Sequence, residues 1–261
     1  MFLVKSFEFT VEERIYKNVE NRDLKLYIFN PQNLLLDRTA ILFFHGGSYV
    51  KSDRTPLAFE HHAELYASKG IVAICVDYRT TNDTEAFSPL YAISDAKSSI
   101  QWVRQHHQEL GVNSNKIIIC GASSGGFTVL CSVLVKDVFE LEGDYTNNIP
   151  DALVMFNPGV DGVEVLNRLF PELSDKAENL SPLHNIVSDL PPLILFIGTD
   201  DIIYGSNKEF YEKWIEYGNQ CTFHTYEGMS HGFFNYGTFD NKPFKETNEE
   251  IEKFMKTLGL L

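Results

Sequence analysis

The sequence predicts an α/β domain in which a mostly parallel, doubly wound central sheet carries helices on both faces. Three observations predict it. Runs that are apolar throughout, at 40–44, 71–76, 117–120, 152–156 and 192–197, have the continuous hydrophobicity of strands covered on both faces. Helix-length stretches separate them, and strands alternating with helices of about ten or more residues form parallel βαβ units with right-handed crossovers. The conspicuous glycines, serines, acids and histidines fall at the carboxyl ends of these runs, where open parallel sheets bind ligands. A chain of 261 residues can bury the core of one such domain, expected to span 1–261.

Residues 7–30 hold two alternating segments, one around 11–19 and a second in which Leu24, Leu26 and Ile28 face one way and Lys25, Tyr27 and Phe29 the other. Period-two alternation predicts an antiparallel hairpin at a sheet edge, ended by Pro31. The run 40–44 leads into His45-Gly46-Gly47-Ser48-Tyr49, whose glycines suit a backbone that approaches something closely. A helix over 56–69 stops at Gly70, where a glycine C-cap is expected. The run 71–76 ends in Asp77-Tyr78-Arg79, and a helix follows over 89–109, with Ile93, Ala96, Ile100 and Val103 on its packed face and Gly111 closing it.

A strand over 116–120 then feeds Gly121-Ala122-Ser123-Ser124-Gly125-Gly126 and a helix-like run over 127–134. Residues 136–150 read as a polar loop, and the strand 152–156 ends in Asn157-Pro158-Gly159. Residues 160–191 have no clean period and contain Pro171 and Pro182, as an excursion over the end of a sheet would; a small lid is expected there. The run 192–197 ends in Gly198-Thr199-Asp200-Asp201. It is followed by a helix over 206–217, a short strand over 222–226, a loop carrying His231 and a last helix over 245–258.

Composition narrows the function classes. With 22 Lys+Arg against 36 Asp+Glu the formal charge is −14, which repels nucleic acid and anionic membrane surfaces, so neither is expected as a partner. Cys75, Cys120, Cys131 and Cys221 lack C-x-x-C spacing and read as reduced core residues rather than a disulfide frame or a zinc site. No metal or other cofactor is expected. The N-terminus has no basic region followed by a long apolar one, and no apolar run reaches bilayer length, so the reading is a soluble cytoplasmic protein, monomer or dimer.

The stretch Gly121 to Gly126 has the form of a nucleophile elbow: a buried strand, a sharp glycine-flanked turn that holds a serine hydroxyl clear, then a helix. Serine at its own pKa is a poor nucleophile and needs an adjacent base, which needs an acid to fix its tautomer. His231 is the expected base, since it combines a loop after the last strand, a glycine neighbour and a place C-terminal to the acid. His61, His62, His106 and His107 lie in helix-like stretches and are expected to be solvated. The acid is Asp201 or Asp200, with Asp201 favoured by the spacing from Gly198. Backbone N–H groups of Ser124 and of Gly46 or Gly47 are expected to hold an oxyanion. Ser124 as nucleophile is the competing register, disfavoured because Ala122 then stands where the first glycine belongs.

Residues 42–49, Leu-Phe-Phe-His-Gly-Gly-Ser-Tyr, resemble the oxyanion-loop motif HGGGW, and Asp77-Tyr78-Arg79 resembles a D-Y-R that follows the next strand. Gly121 to Gly126 resembles GxSAGG, Gly198 to Asp201 the loop GTxD, and 226–235 the loop YEGxxHGFFN. Together these are similar to the α/β-hydrolase esterases of the hormone-sensitive-lipase-like and acetylesterase (carbohydrate esterase) branch. The resemblance implies an α/β-hydrolase fold, hydrolysis of short-chain carboxylic esters, acetyl groups on sugars or polysaccharide fragments as substrates, and a triad of Ser123, Asp201 and His231. Tyr49, His45 and Phe233, which lie in these motifs, are expected to contact the small-molecule ester. The same triad serves serine peptidases of this fold, and the fold also serves non-catalytic binding proteins. Ser48, Tyr49, Ala122 and Ser124 depart from the usual Gly, Trp, Asp and Ala; none removes a backbone donor.

Overall fold

The structure, a computed structural model, describes residues 6–19, 22–32, 36–50, 55–81, 87–135 and 149–261. Most of the polar loop expected over 136–150 lies outside the described residues, as does 51–54 after the first glycine loop. Eight strands form the sheet: β1 (Glu12–Val19), β2 (Arg22–Phe29), β3 (Arg38–Phe44), β4 (Val72–Val76), β5 (Val112–Ala122), β6 (Ala152–Phe156), β7 (Leu193–Gly198) and β8 (Cys221–Tyr226). The described helices are α1 (Glu60–Ser68), α2 (Pro89–Gln105), α3 (Ser124–Leu134), α4 (Gly162–Leu169), α5 (Tyr204–Glu216) and α6 (Lys242–Thr257).

The spatial order is β1-β2-β4-β3-β5-β6-β7-β8. β1 pairs antiparallel with β2, and β2 antiparallel with β4, so the expected hairpin forms the edge. All other pairs are parallel. Register matters most for the site. Phe44 lies opposite Gly121, Ala122 opposite Phe156, Phe156 opposite Phe196 and Gly198 opposite Tyr226, which brings the carboxyl ends of five strands to one edge.

Because side chains alternate across a strand, the apolar runs feed two cores. Leu42, Phe44 and Ile119 pack with α2, α3, α4 and α5 through Ile100, Phe127, Leu166 and Trp214. Ile41, Phe43 and Ile118 pack on the other face with α1 and α6 through Tyr66, Ile251 and Met255. Helices therefore cover both faces. Burial pushes the thiols of Cys75, Cys120 and Cys131 well above their usual pKa, which leaves them unreactive.

Several elements differ from expectation for physical reasons. β5 starts at Val112 rather than 116, because the polar residues 113–116 mask a strand that still pairs with β3 across an irregularity. Within 160–191 there is a regular helix, α4, whose N-terminus is capped by Asp161 Oδ1 accepting from Val163 N at 2.8 Å. Eight residues ended by a proline are too few for a period to show. His62 is a correction: it is not solvated but buried on α1, 1 % exposed, among Phe43, Phe59, Phe156, Phe234 and Phe244.

Neither ring nitrogen of His62 has a hydrogen-bond partner among the described residues, and burial lowers its pKa to about 3, with His61 adding to the effect. The unfolded chain binds a proton at this residue below about pH 6.5, whereas the folded chain does so only near 3, so folding stability falls as pH drops through that window. The loss amounts to about 2 kcal/mol at pH 5. His62→Phe is expected to remove one proton from the acid dependence of unfolding, measured by urea titrations between pH 4 and 7. An unchanged slope would contradict this account.

Candidate active site

The elbow is built by close approach. Ser123 adopts φ 52, ψ −120 between β5 and α3, a strained conformation for a residue with a Cβ. It is held by Ser123 N donating to Phe156 O at 3.1 Å and by Ser123 O accepting from both Phe127 N and Gly159 N at 3.0 Å. A Cβ on Gly121 would lie 2.8 Å from Gly126 Cα, and one on Gly125 would collide with the carbonyl oxygens of Phe44 and His45. Only glycine lets α3 meet β3 and β5 so closely.

The loop after β3 wraps the same turn. Gly46 is so near that a Cβ there would stand 2.9 Å from Ser123 Cβ. The N–H groups of Gly46, Gly47 and Ser124 make no hydrogen bond to the described residues. Ser124, whose side chain departs from the usual alanine, has a structural role: its Oγ accepts from Ser48 N at 3.0 Å, which ties the glycine loop to the elbow. Ser48 and Tyr49 both have positive φ, 54 and 60.

The two carboxylates after β7 separate cleanly. Asp200 is exposed, whereas the Asp201 side chain is fully buried and its Oδ2 lies 2.8 Å from His231 Nδ1. Asp201 Oδ1 also accepts from Ile203 N at 3.2 Å. His231 and Ser123 line one cavity of about 170 Å³, with Phe127, Val165, Leu169 and Ile203 as apolar wall and Ser48 and Arg168 as polar wall. Larger grooves, such as one of about 860 Å³ between residues 8–12 and α1, contain none of these groups. Among the described residues, the donors close enough to share a cation are those of Glu8, Glu60 and His61, and none of the three lines the cavity.

His45, Tyr49 and Phe233 are not brought to the cavity wall. All three are buried. Tyr49 donates its hydroxyl to Ser124 O at 3.0 Å and shares a 2.6 Å hydrogen bond with Thr128 Oγ1; burial pushes its phenol well above the usual pKa, so the proton stays. His45 stacks on Tyr78, whose hydroxyl donates to His45 O, and Phe233 packs against Tyr226. A loop motif shows which backbone is near the reaction, but alternate side chains along it turn into the core. The Asp-Tyr-Arg stretch is likewise a brace: Arg22 grips Asp77, and Arg79 grips Asp95 through Nε at 2.8 Å and Nη2 at 2.7 Å.

Reasoning from sequence missed Asn157. It follows β6, is 1 % exposed, and sits with its side chain between His231 and Gly232. Its only sequence signal is its position at a strand end, in line with the other site residues.

The family description BD-FAE matches residues 26–161 and that of the alpha/beta hydrolase fold matches 161–235. The chain is an α/β-hydrolase of the hormone-sensitive-lipase-like esterase family. This hydrolase superposes on an esterase from Thermogutta terrifontis, solved with butyrate bound, at 36 % identity and TM-score 0.88, covering 96 % of this chain and 95 % of that one. Esterase 2 of the same organism, phosphorylated by paraoxon, matches at 36 % identity and TM-score 0.87 with the same coverage. A probable isoprenylcysteine alpha-carbonyl methylesterase of Arabidopsis thaliana is 25 % identical over 83 % of this chain but 50 % of its own length. The chain thus spans about half the length of that curated relative. Among the described residues no helix is long and apolar enough to cross a membrane.

Ser124→Ala is expected to lower the unfolding free energy by about 1 kcal/mol, the net worth of the bond to Ser48 N. Urea denaturation reads the change, and faster exchange of the Ser48 amide proton should accompany it. No change in either would show that this bond ties nothing.

Proposed function

We propose that the protein is a serine carboxylesterase acting on short-chain esters, acetyl to butyryl, by an acyl-enzyme mechanism. The observation that carries the reading is the buried Asp201 carboxylate on His231 Nδ1, in a cavity that His231 shares with the Ser123 elbow. An aspartate at Nδ1 keeps the proton there and leaves Nε2 unprotonated, able to act as the base. In this reading Nε2 takes the proton of Ser123 as Oγ attacks the ester carbonyl, and the carbonyl π pair moves onto oxygen. The N–H groups of Gly46, Gly47 and Ser124 stabilise that charge, each donor contributing about 10² to 10³ in rate. Collapse breaks the C–O bond of the alcohol, which leaves with the proton from Nε2, and water then releases the acid by the same steps.

Cavity size supports a short acyl group. About 170 Å³ bounded by Val165, Leu169 and Ile203 holds a few carbon atoms, well below the several hundred Å³ of pockets for larger ligands. Butyrate in the Thermogutta terrifontis esterase has the same scale. Residues 160–191, which supply Val165, Arg168 and Leu169, act as the lid-like wall. Acetylated sugars are the proposed natural substrates, a reading that rests on the sequence motifs.

Ser123→Ala is expected to lower p-nitrophenyl acetate hydrolysis by about 10⁴-fold or more with folding intact. Equal rates would refute the mechanism. Paraoxon should label one residue, Ser123, and label nothing in the variant, as mass spectrometry of the peptides would show. Among p-nitrophenyl esters, acetyl to butyryl should exceed octanoyl; the opposite order would show that the cavity does not set acyl length. A panel of acetylated sugars tests the alcohol portion.

A further inference from the structure

His231 has a side-chain partner on each ring nitrogen. Nδ1 faces Asp201 Oδ2 at 2.8 Å, and Nε2 faces Asn157 Nδ2 at 3.2 Å. The far end of the amide sets its orientation. Asn157 Oδ1 accepts from Gly232 N at 3.2 Å, and because a backbone N–H requires an acceptor, the amide oxygen faces Gly232 and the NH₂ faces the imidazole. An amide NH₂ only donates, so Nε2 is the accepting nitrogen in this contact, and the neutral imidazole that fits it carries its proton on Nδ1. Asn157 is also rigid: its N–H donates to Phe196 O at 2.7 Å, and its φ of 34 is of the left-handed sign that asparagine tolerates. No hydrogen bond joins Ser123 Oγ to His231 among the described residues.

We propose that Asn157 is a positioning residue for His231, whose amide holds the base neutral and in the working tautomer and weakens its grip on the proton it accepts. This rests on reading His231 as the general base. A donor at Nε2 stabilises the unprotonated ring and so lowers its proton affinity. During acylation Nε2 passes from Asn157 to the Ser123 hydroxyl and takes its proton. The new Nε2–H then faces the N–H of Asn157, and the repulsion between two donors turns the imidazolium toward the alcohol oxygen, which accepts the proton as its bond to carbon breaks. Between turnovers the amide again occupies Nε2.

The charged groups that the structure places with the ring belong to other elements: Asp201 after β7 and Arg168 of α4, which lines the same cavity; Asp200 and Glu227, near in sequence, are exposed. Replacement of Asn157 leaves all of them in place. Asn157→Asp keeps the shape and tolerance of the backbone angle but puts an acceptor where the donor was, which favours the imidazolium.

Nitrogen NMR of the His231 ring tests the proposal without relying on catalysis. In the wild type, Nδ1 should carry the proton and Nε2 should accept a hydrogen bond; an Nε2–H tautomer overturns the proposal outright. In Asn157→Asp the nitrogen spectrum should show more of the doubly protonated ring at a given pH than in the wild type. The acid limb of kcat/KM for p-nitrophenyl acetate should move to higher pH accordingly, lowering activity about tenfold on that limb while KM changes little. Asn157→Ala should shift both in the same direction by less. A folded variant whose His231 spectrum and pH profile match those of the wild type overturns the proposal. If the NMR shifts appear while Ser123→Ala remains fully active, it is the esterase mechanism that fails and the hydrogen bond that stands.

Discussion

The carboxyl edge of the sheet depends on how closely the exit of β3 lies against the first turn of α3. Gly125 admits the carbonyls of Phe44 and His45 to that turn, and the obstacles to any larger residue are backbone atoms that cannot rotate away. From this approach follow the nearness of Gly46 to Ser123, the Ser48 to Ser124 hydrogen bond and the burial of Tyr49. The positive φ of Ser123 is a cost of order 1–3 kcal/mol, which the three backbone bonds at that residue help to hold in place.

A second support lies one layer out. Asp95 is fully buried on α2 and accepts from Lys17 at 2.7 Å, from the Arg79 guanidinium and from Arg79 N at 3.0 Å. These bonds join β1, α2 and the chain leaving β4 in one network. A buried carboxylate so fully partnered is weak evidence for net stability but strong evidence for a fixed geometry, since losing one partner would leave a charge uncompensated. That network sets where Tyr78 stands, and Tyr78 in turn bonds the carbonyl of His45.

The parallel strands were legible because both faces are covered and the hydrophobic runs are unbroken. Ser123, Asp201 and His231 were picked out by their places at strand ends in one chain order, and the structure buries Asp201 while leaving Asp200 exposed. What was not legible depends on direction and neighbours. His62 sits on a helix whose apolar face is aromatic, and only the fold brings five phenylalanines around it. His45, Tyr49 and Phe233 belong to loops that approach the site, but which way a loop side chain turns is a tertiary fact. Asn157 precedes a proline and reads locally as a turn; its contact with His231 joins residues 74 apart in sequence.

The segment 160–191 is pinned to itself. Gly162 N donates to Ser181 Oγ at 2.8 Å and Leu183 N to Val160 O at 2.8 Å, so its entrance and exit are fastened together whatever lies between. Lengthening a loop whose ends are already joined costs little closure entropy. The cavity wall is therefore a cassette: insertions or exchanges there can reshape the space above Ser123 while the strand ends stay as they are. Descent with modification can then act on substrate range and on the reacting groups through separate stretches of chain.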